Sequence, residues 1–80
     1  QKNQTAFNPR DLTFRSAGGL ARIQIMNALG KTVVDETRMV SAGSTALLQG
    51  GARLSAGRYY LRVELGGKIA ILAHFAVSRE

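Results

Sequence analysis

Arg58-Tyr59-Tyr60-Leu61-Arg62-Val63-Glu64-Leu65-Gly66-Gly67-Lys68-Ile69-Ala70-Ile71-Leu72-Ala73-His74-Phe75-Ala76-Val77 is two runs of alternating side chains separated by a pair of glycines. Neighbouring side chains of a strand point to opposite faces. Tyr59, Leu61, Val63 and Leu65 therefore share one face, and Arg58, Tyr60, Arg62 and Glu64 share the other. Ile71, Ala73, Phe75 and Val77 form the matching inward set of the second run. Gly66-Gly67 supplies the two positive-φ positions of a tight hairpin loop, so the stretch predicts an antiparallel hairpin with one buried face.

The same period extends upstream. Ala21, Ile23 and Ile25 alternate with Arg22, Gln24 and Met26, and Asn27-Ala28-Leu29-Gly30-Lys31 reads as a hairpin connection with Leu29 packed over its end. Thr32 to Val40 follows as a β-branched strand whose expected inward set is Val33 and Met39, with Asp35-Glu36 at an exposed bulge or edge. Asn8-Pro9 is expected to lead into a first strand, Asp11 to Arg15, with Leu12 and Phe14 inward, since proline holds its neighbour extended. Ser44 to Gln49 is a further strand. Gly57, ahead of Arg58, reads as a turn position. Turns every ten residues or so, in a chain with no helical stripe, predict an all-β fold: a compact antiparallel Ig-like β-sandwich of about seven short strands. An open barrel of five or six strands is the competing arrangement.

Composition limits what such a fold can do. Eighty residues make one small domain with a modest core, too small for a two-domain enzyme with a deep cleft. There is no cysteine, hence no disulfide, thiolate zinc site or cysteine nucleophile. No apolar stretch approaches the roughly 20 residues of a membrane helix. Eleven Lys and Arg against five Asp and Glu give a net charge of +6. The basic residues are scattered, with no run that reads as a nucleic-acid arm, so no nucleic-acid partner is expected. Residues 1–6, without an initiator methionine or apolar signal core, read as a linker from a removed N-terminal partner, and 7–80 as the domain.

The catalytic inventory is empty. His74 is the single histidine and faces outward by its alternation with Phe75, and neighbouring Asp35 and Glu36 point to opposite faces of a strand. Gly66-Gly67-Lys68 lacks the glycine spacing and the hydroxyl residue of a phosphate loop. No catalytic, metal or cofactor residue is expected. The outward positions are more informative. Met26, Tyr60 and Leu72 are apolar there and interleave with Arg22, Arg58, Arg62 and His74, a composition suited to contact with a protein, a sugar or a base.

Asn8-Pro9 followed by Asp11-Leu12-Thr13-Phe14, then Ala21 to Lys31 ending in Asn27-x-x-Gly30-Lys31, then Leu54-Ser55-Ala56-Gly57-Arg58-Tyr59, then Gly66-Gly67-Lys68 and a closing Phe75-Ala76-Val77, resembles the C-terminal sorting domain of the type IX secretion system (type A, the Por secretion family), with a basic terminal-domain variant suggested by the charge. The resemblance spans residues 7 to 80. It implies a non-catalytic sorting and anchoring module that takes an exported cargo through the periplasm to the cell surface or medium. Implied partners are outer-membrane translocon components, a sortase-like peptidase, and a covalently linked N-terminal cargo such as a glycoside hydrolase or esterase. The motif positions map to Asn8, Pro9, Gly30, Lys31, Gly57, Tyr59, Gly67, Lys68, Phe75 and Val77. Folding roles fall on the glycines and Tyr59, and recognition falls on Lys31, Lys68, His74 and Arg79. The alternative reading is an accessory module that binds carbohydrate or another acidic surface. A homodimer through exposed edge strands is compatible with either.

Overall fold

A computed structural model describes residues 5–50 and 52–78. Seven strands and no helix occur among them: β1 (Ala6–Asn8), β2 (Thr13–Ser16), β3 (Gly19–Asn27), β4 (Thr32–Val40), β5 (Gly43–Ala46), β6 (Gly57–Leu65) and β7 (Lys68–Val77). They form two antiparallel sheets, ordered β1-β2-β5 and β4-β3-β6-β7. The chain changes sheet after β2, after β4 and after β5, which is the Greek-key wiring of an Ig-like sandwich, with its fourth strand on the sheet of β3, β6 and β7.

The inward alternation of β3, β6 and β7 is the one expected. In register, Ile23 opposes Val63 and Ile25 opposes Leu61, while Val63 also opposes Ile71. Phe14 and Leu47 close the core from the other sheet, and both are fully buried. Burying each such side chain contributes about 1.5–3 kcal/mol relative to leaving it in water. Phe75 lies between Phe7 of β1 and Tyr59 of β6, each ring 5.6 Å away by centroids, so an aromatic stack joins the two sheets at one edge. The β6–β7 loop is Gly66-Gly67 with φ of 59° and 85°, the two-residue form with both residues left-handed.

Several expected details differ. Asn8-Pro9 does not lead into a strand; it turns the chain between β1 and β2. The Asn8 Oδ1 accepts the backbone N–H groups of Arg10 and Asp11 at 3.0 and 3.4 Å, a side chain standing in for a strand partner. Leu12 is in the turn with a left-handed φ of 54°, so β2 begins only at Thr13. The Leu12 carbonyl accepts the N–H of Leu47, which draws the chain after β5 onto this turn and ends β5 at Ala46 rather than Gln49. The first strand includes Ala6, one residue inside the expected linker; residues 1–4 lie outside the described residues. Leu29 does not pack over the hairpin and is 92% exposed.

β4 departs most. Val33 and Met39 face solvent, Met39 at 70% exposure, and the inward set is Val34, Glu36, Arg38 and Val40. The cause is a bulge. Ile25 opposes Val34 while Met26 opposes Thr32, so Val33 is the extra residue, and the bulge sits there rather than at Asp35-Glu36. Beyond it, Arg38 reaches across to the other sheet and donates from one Nη to the carbonyls of Ala46 and Leu47 at 2.7 and 3.3 Å. Its Nε lies 3.6 Å from a Glu36 carboxylate oxygen, beyond hydrogen-bond length. Arg38 thus clamps β4 to the end of β5 where the sandwich is open. Arg38→Met, which keeps the aliphatic stem and removes the donors, is expected to cost about 1–3 kcal/mol, read as a lower urea midpoint at unchanged slope.

Candidate functional site

The two motif segments that carry the resemblance are built as turns. In the β3–β4 connection the Asn27 Oδ1 accepts the N–H groups of Leu29 and Lys31 at 2.9 and 3.0 Å, the Asn27 carbonyl accepts Gly30 N–H, and Asn27 N–H donates to the Lys31 carbonyl. Gly30 has φ of 85° and completes a three-residue loop closed by its left-handed position. Each element of Asn-x-x-Gly-Lys except the lysine side chain is thereby used in folding. In the second segment, Gly57 opens β6 at a positive φ, and the buried Tyr59 donates its hydroxyl to the Ser55 carbonyl at 2.7 Å. A tyrosine near the start of this strand, bonded to backbone a few residues upstream, is the tyrosine corner of Ig-like sandwiches.

The expected recognition residues do not converge. Lys31 follows Asn27, which pairs with Tyr59, whereas Lys68 pairs with Leu65, whose other neighbour is Ala21 at the far end of β3. Six residues of strand separate these ends, roughly 20 Å. His74 is exposed on the outer face beside Tyr60, with ring centroids 6.4 Å apart, and Arg79 lies outside the described residues. Asn8 and Pro9 form the first turn, Gly67 the last hairpin loop, and Phe75 and Val77 face inward on β7.

Arg22, Met26, Arg58, Tyr60 and Arg62 do share one surface, the outer face of the four-stranded sheet. Met26, Tyr60 and His74 stand in one cross-strand row, and Gln24, Arg62 and Leu72 in the next. Between the rows is a groove of about 290 Å³ lined by Met26, Tyr60 and Leu72 with Gln24, Thr32 and Arg62. A charged band borders it. Arg22 meets Asp35 through two 3.2 Å hydrogen bonds, and Arg62 meets Glu64 at 2.8 Å. The hydrogen bond from Arg22, rather than burial, holds the Asp35 carboxyl below its ordinary range and raises the Arg22 guanidinium in turn. Leu20, Met39 and Ile69 lie exposed past the band. Among the described residues, a larger hollow between Leu12, Leu54 and Val77 at the sandwich end is lined by no acid or histidine that could work with its Arg53.

Among the described residues no three His, Cys, Asp or Glu side chains come together as a metal site. Sequence reasoning missed Arg38, because an arginine at an inward position carries no periodic signal, and it missed that the Asn27 side chain accepts the loop N–H groups of Leu29 and Lys31. No family model matches the chain, nor does any curated protein or solved structure.

Tyr59→Phe is expected to lower stability by about 1 kcal/mol, a fall of some 4–8 °C in melting temperature for a domain this size. For Asp35 the depressed folded-state pKa means that the ion pair contributes above about pH 4 and is lost as pH falls through the folded value. Urea midpoints of wild type and Asp35→Asn should therefore converge as the pH is lowered from neutral to below the ordinary carboxylate range.

Proposed function

We propose that the chain is a non-catalytic sorting and anchoring module that directs a linked cargo through an outer-membrane secretion system to the cell surface or medium. The observation that carries this reading is that the two most specific segments of the resemblance, Asn27-x-x-Gly30-Lys31 and Leu54-x-Ala56-Gly57-x-Tyr59, are coherent folding units in the order the family places them. Such a module has to be read by receptors, and its work is done by surface rather than by a cleft. With Lys31 and Lys68 at opposite ends of the sheet, a receptor that reads both lies along the length of the domain. A translocon component contacting the outer face and a sortase-like peptidase acting near one terminus fit this layout.

The second reading, an accessory binding module for carbohydrate or another acidic surface, is favoured by one observation. Tyr60 is exposed among arginines on the outer face of the four-stranded sheet, where it can offer its ring to a ligand.

The discriminating experiment fuses the chain behind a periplasm-targeted reporter, in a host with the secretion system and in one lacking its translocon. Surface appearance only in the first is expected. Retention in the periplasm of both hosts removes the sorting reading and leaves the binding module.

A further inference from the structure

The outer-face groove is walled by Met26 of β3, Tyr60 of β6 and Leu72 of β7, apolar side chains from three adjacent strands. Leu72 is 70% exposed and Tyr60 47%. Apolar side chains that meet at a surface in this way mark an interaction site, where single scattered ones do not. The hollow is at the small end of ligand sites and suits one amino-acid side chain of a partner. Along β6, Arg58, Tyr60 and Arg62 point outward at every second residue, so the arginines flank the ring at about 13 Å from each other along the backbone. Among the described residues Arg58 has no ion-pair partner. Arg62 is half exposed in its pair with the less exposed Glu64, and the donors of its guanidinium that this one contact leaves over can meet an incoming carboxylate. The face carries three arginines, Arg22, Arg58 and Arg62, against the two carboxylates Asp35 and Glu64, on a chain of charge +6.

We infer that this face binds an extended protein segment with carboxylates at positions i and i+4 and an apolar side chain at i+2, the apolar side chain entering the Met26–Tyr60–Leu72 groove and the carboxylates meeting Arg58 and Arg62. Side chains of an extended segment repeat direction every second residue, so its spacing matches that of β6. A sugar fits less well. The branched Leu72 occupies one wall, and few polar groups converge where ring hydroxyls would need partners. A second copy of the chain is opposed by like charge. The inference rests on reading the domain as a recognition module, though not on its secretion route.

The test is fluorescence anisotropy of the intact chain with a labelled Glu-Thr-Leu-Thr-Glu peptide, its Lys-Thr-Leu-Thr-Lys and Glu-Thr-Ser-Thr-Glu counterparts, and an oligogalacturonate competitor. Leu72→Ser and Arg58→Glu are each expected to weaken the first peptide about tenfold or more, near 1.4 kcal/mol, with melting temperatures unchanged because both side chains are exposed. Arg15→Glu, outward on the other sheet, makes the same charge change away from the groove and should leave binding unaltered. Absence of binding overturns the inference. So do equal affinity for the serine or lysine peptide, equal weakening by Arg15→Glu, or tighter binding of the uronate. Export of the reporter without peptide selectivity removes this inference alone, and selectivity without export removes only the sorting reading.

Discussion

The seam between β3 and β6 is what the rest of the structure leans on. Ile23 against Val63 and Ile25 against Leu61 make a double row of branched side chains with almost no exposure, at the centre of the larger sheet. A chain of 80 residues without cysteine has no covalent staple to make up for a poorly filled core. Packing between these two strands and the Phe14 and Leu47 side chains across from them must therefore suffice. The strands outside the seam are attached to it. β4 and β7 are each joined by a short loop to one of its members, and the smaller sheet is held by the Phe7–Phe75 contact on one side and by Arg38 on the other.

That hierarchy explains which parts were legible in the sequence. β3, β6 and β7 bury one face against apolar neighbours, so period-two alternation is the direct imprint of their burial, and their inward residues read correctly. β4 lies at the margin of the core. Its inward side meets the carbonyl groups of Ala46 and Leu47 as well as side chains, and Arg38 donates to them, polar surroundings that a hydrophobicity pattern cannot represent. The bulge at Val33 then reverses the facing of every residue counted from the hairpin, which is why Val33 and Met39 read as inward. Leu12 failed for a different reason: a bulky residue in a left-handed turn has no signature in alternation. On the functional side, the outward residues of β3 and β6 were legible because the same alternation that buries one face exposes the other. Distance along the sheet was not, so the separation of Lys31 from Lys68 became visible only once the strand register was known.

The motif chemistry carries a related lesson. Asn27, Gly30, Gly57 and Tyr59 are spent on turns and on the corner that sets the start of β6, so their presence speaks first to how the sandwich folds. What distinguishes one such sandwich from another is the set of side chains these turns leave free. Here that set is a basic and partly apolar sheet face, bordered by two exposed ion pairs, with Tyr60 and Leu72 standing clear of it.

The larger sheet consists of two hairpins, β3–β4 and β6–β7, each closed by a loop of two or three residues, with their joining edge between residues some 40 apart in sequence. The two kinds of contact form on different clocks. Hairpins close in about 1–10 μs, whereas all-β sandwiches dominated by distant pairings fold in milliseconds to seconds. Docking of the hairpins along β3 and β6, and closure of Phe14 and Leu47 over the sheet so formed, are then the slow events, and until they happen the Ile23–Ile25 and Leu61–Val63 faces are uncovered together. Those two apolar ribbons are where an incompletely folded chain is most exposed to a chaperone or to its own neighbours.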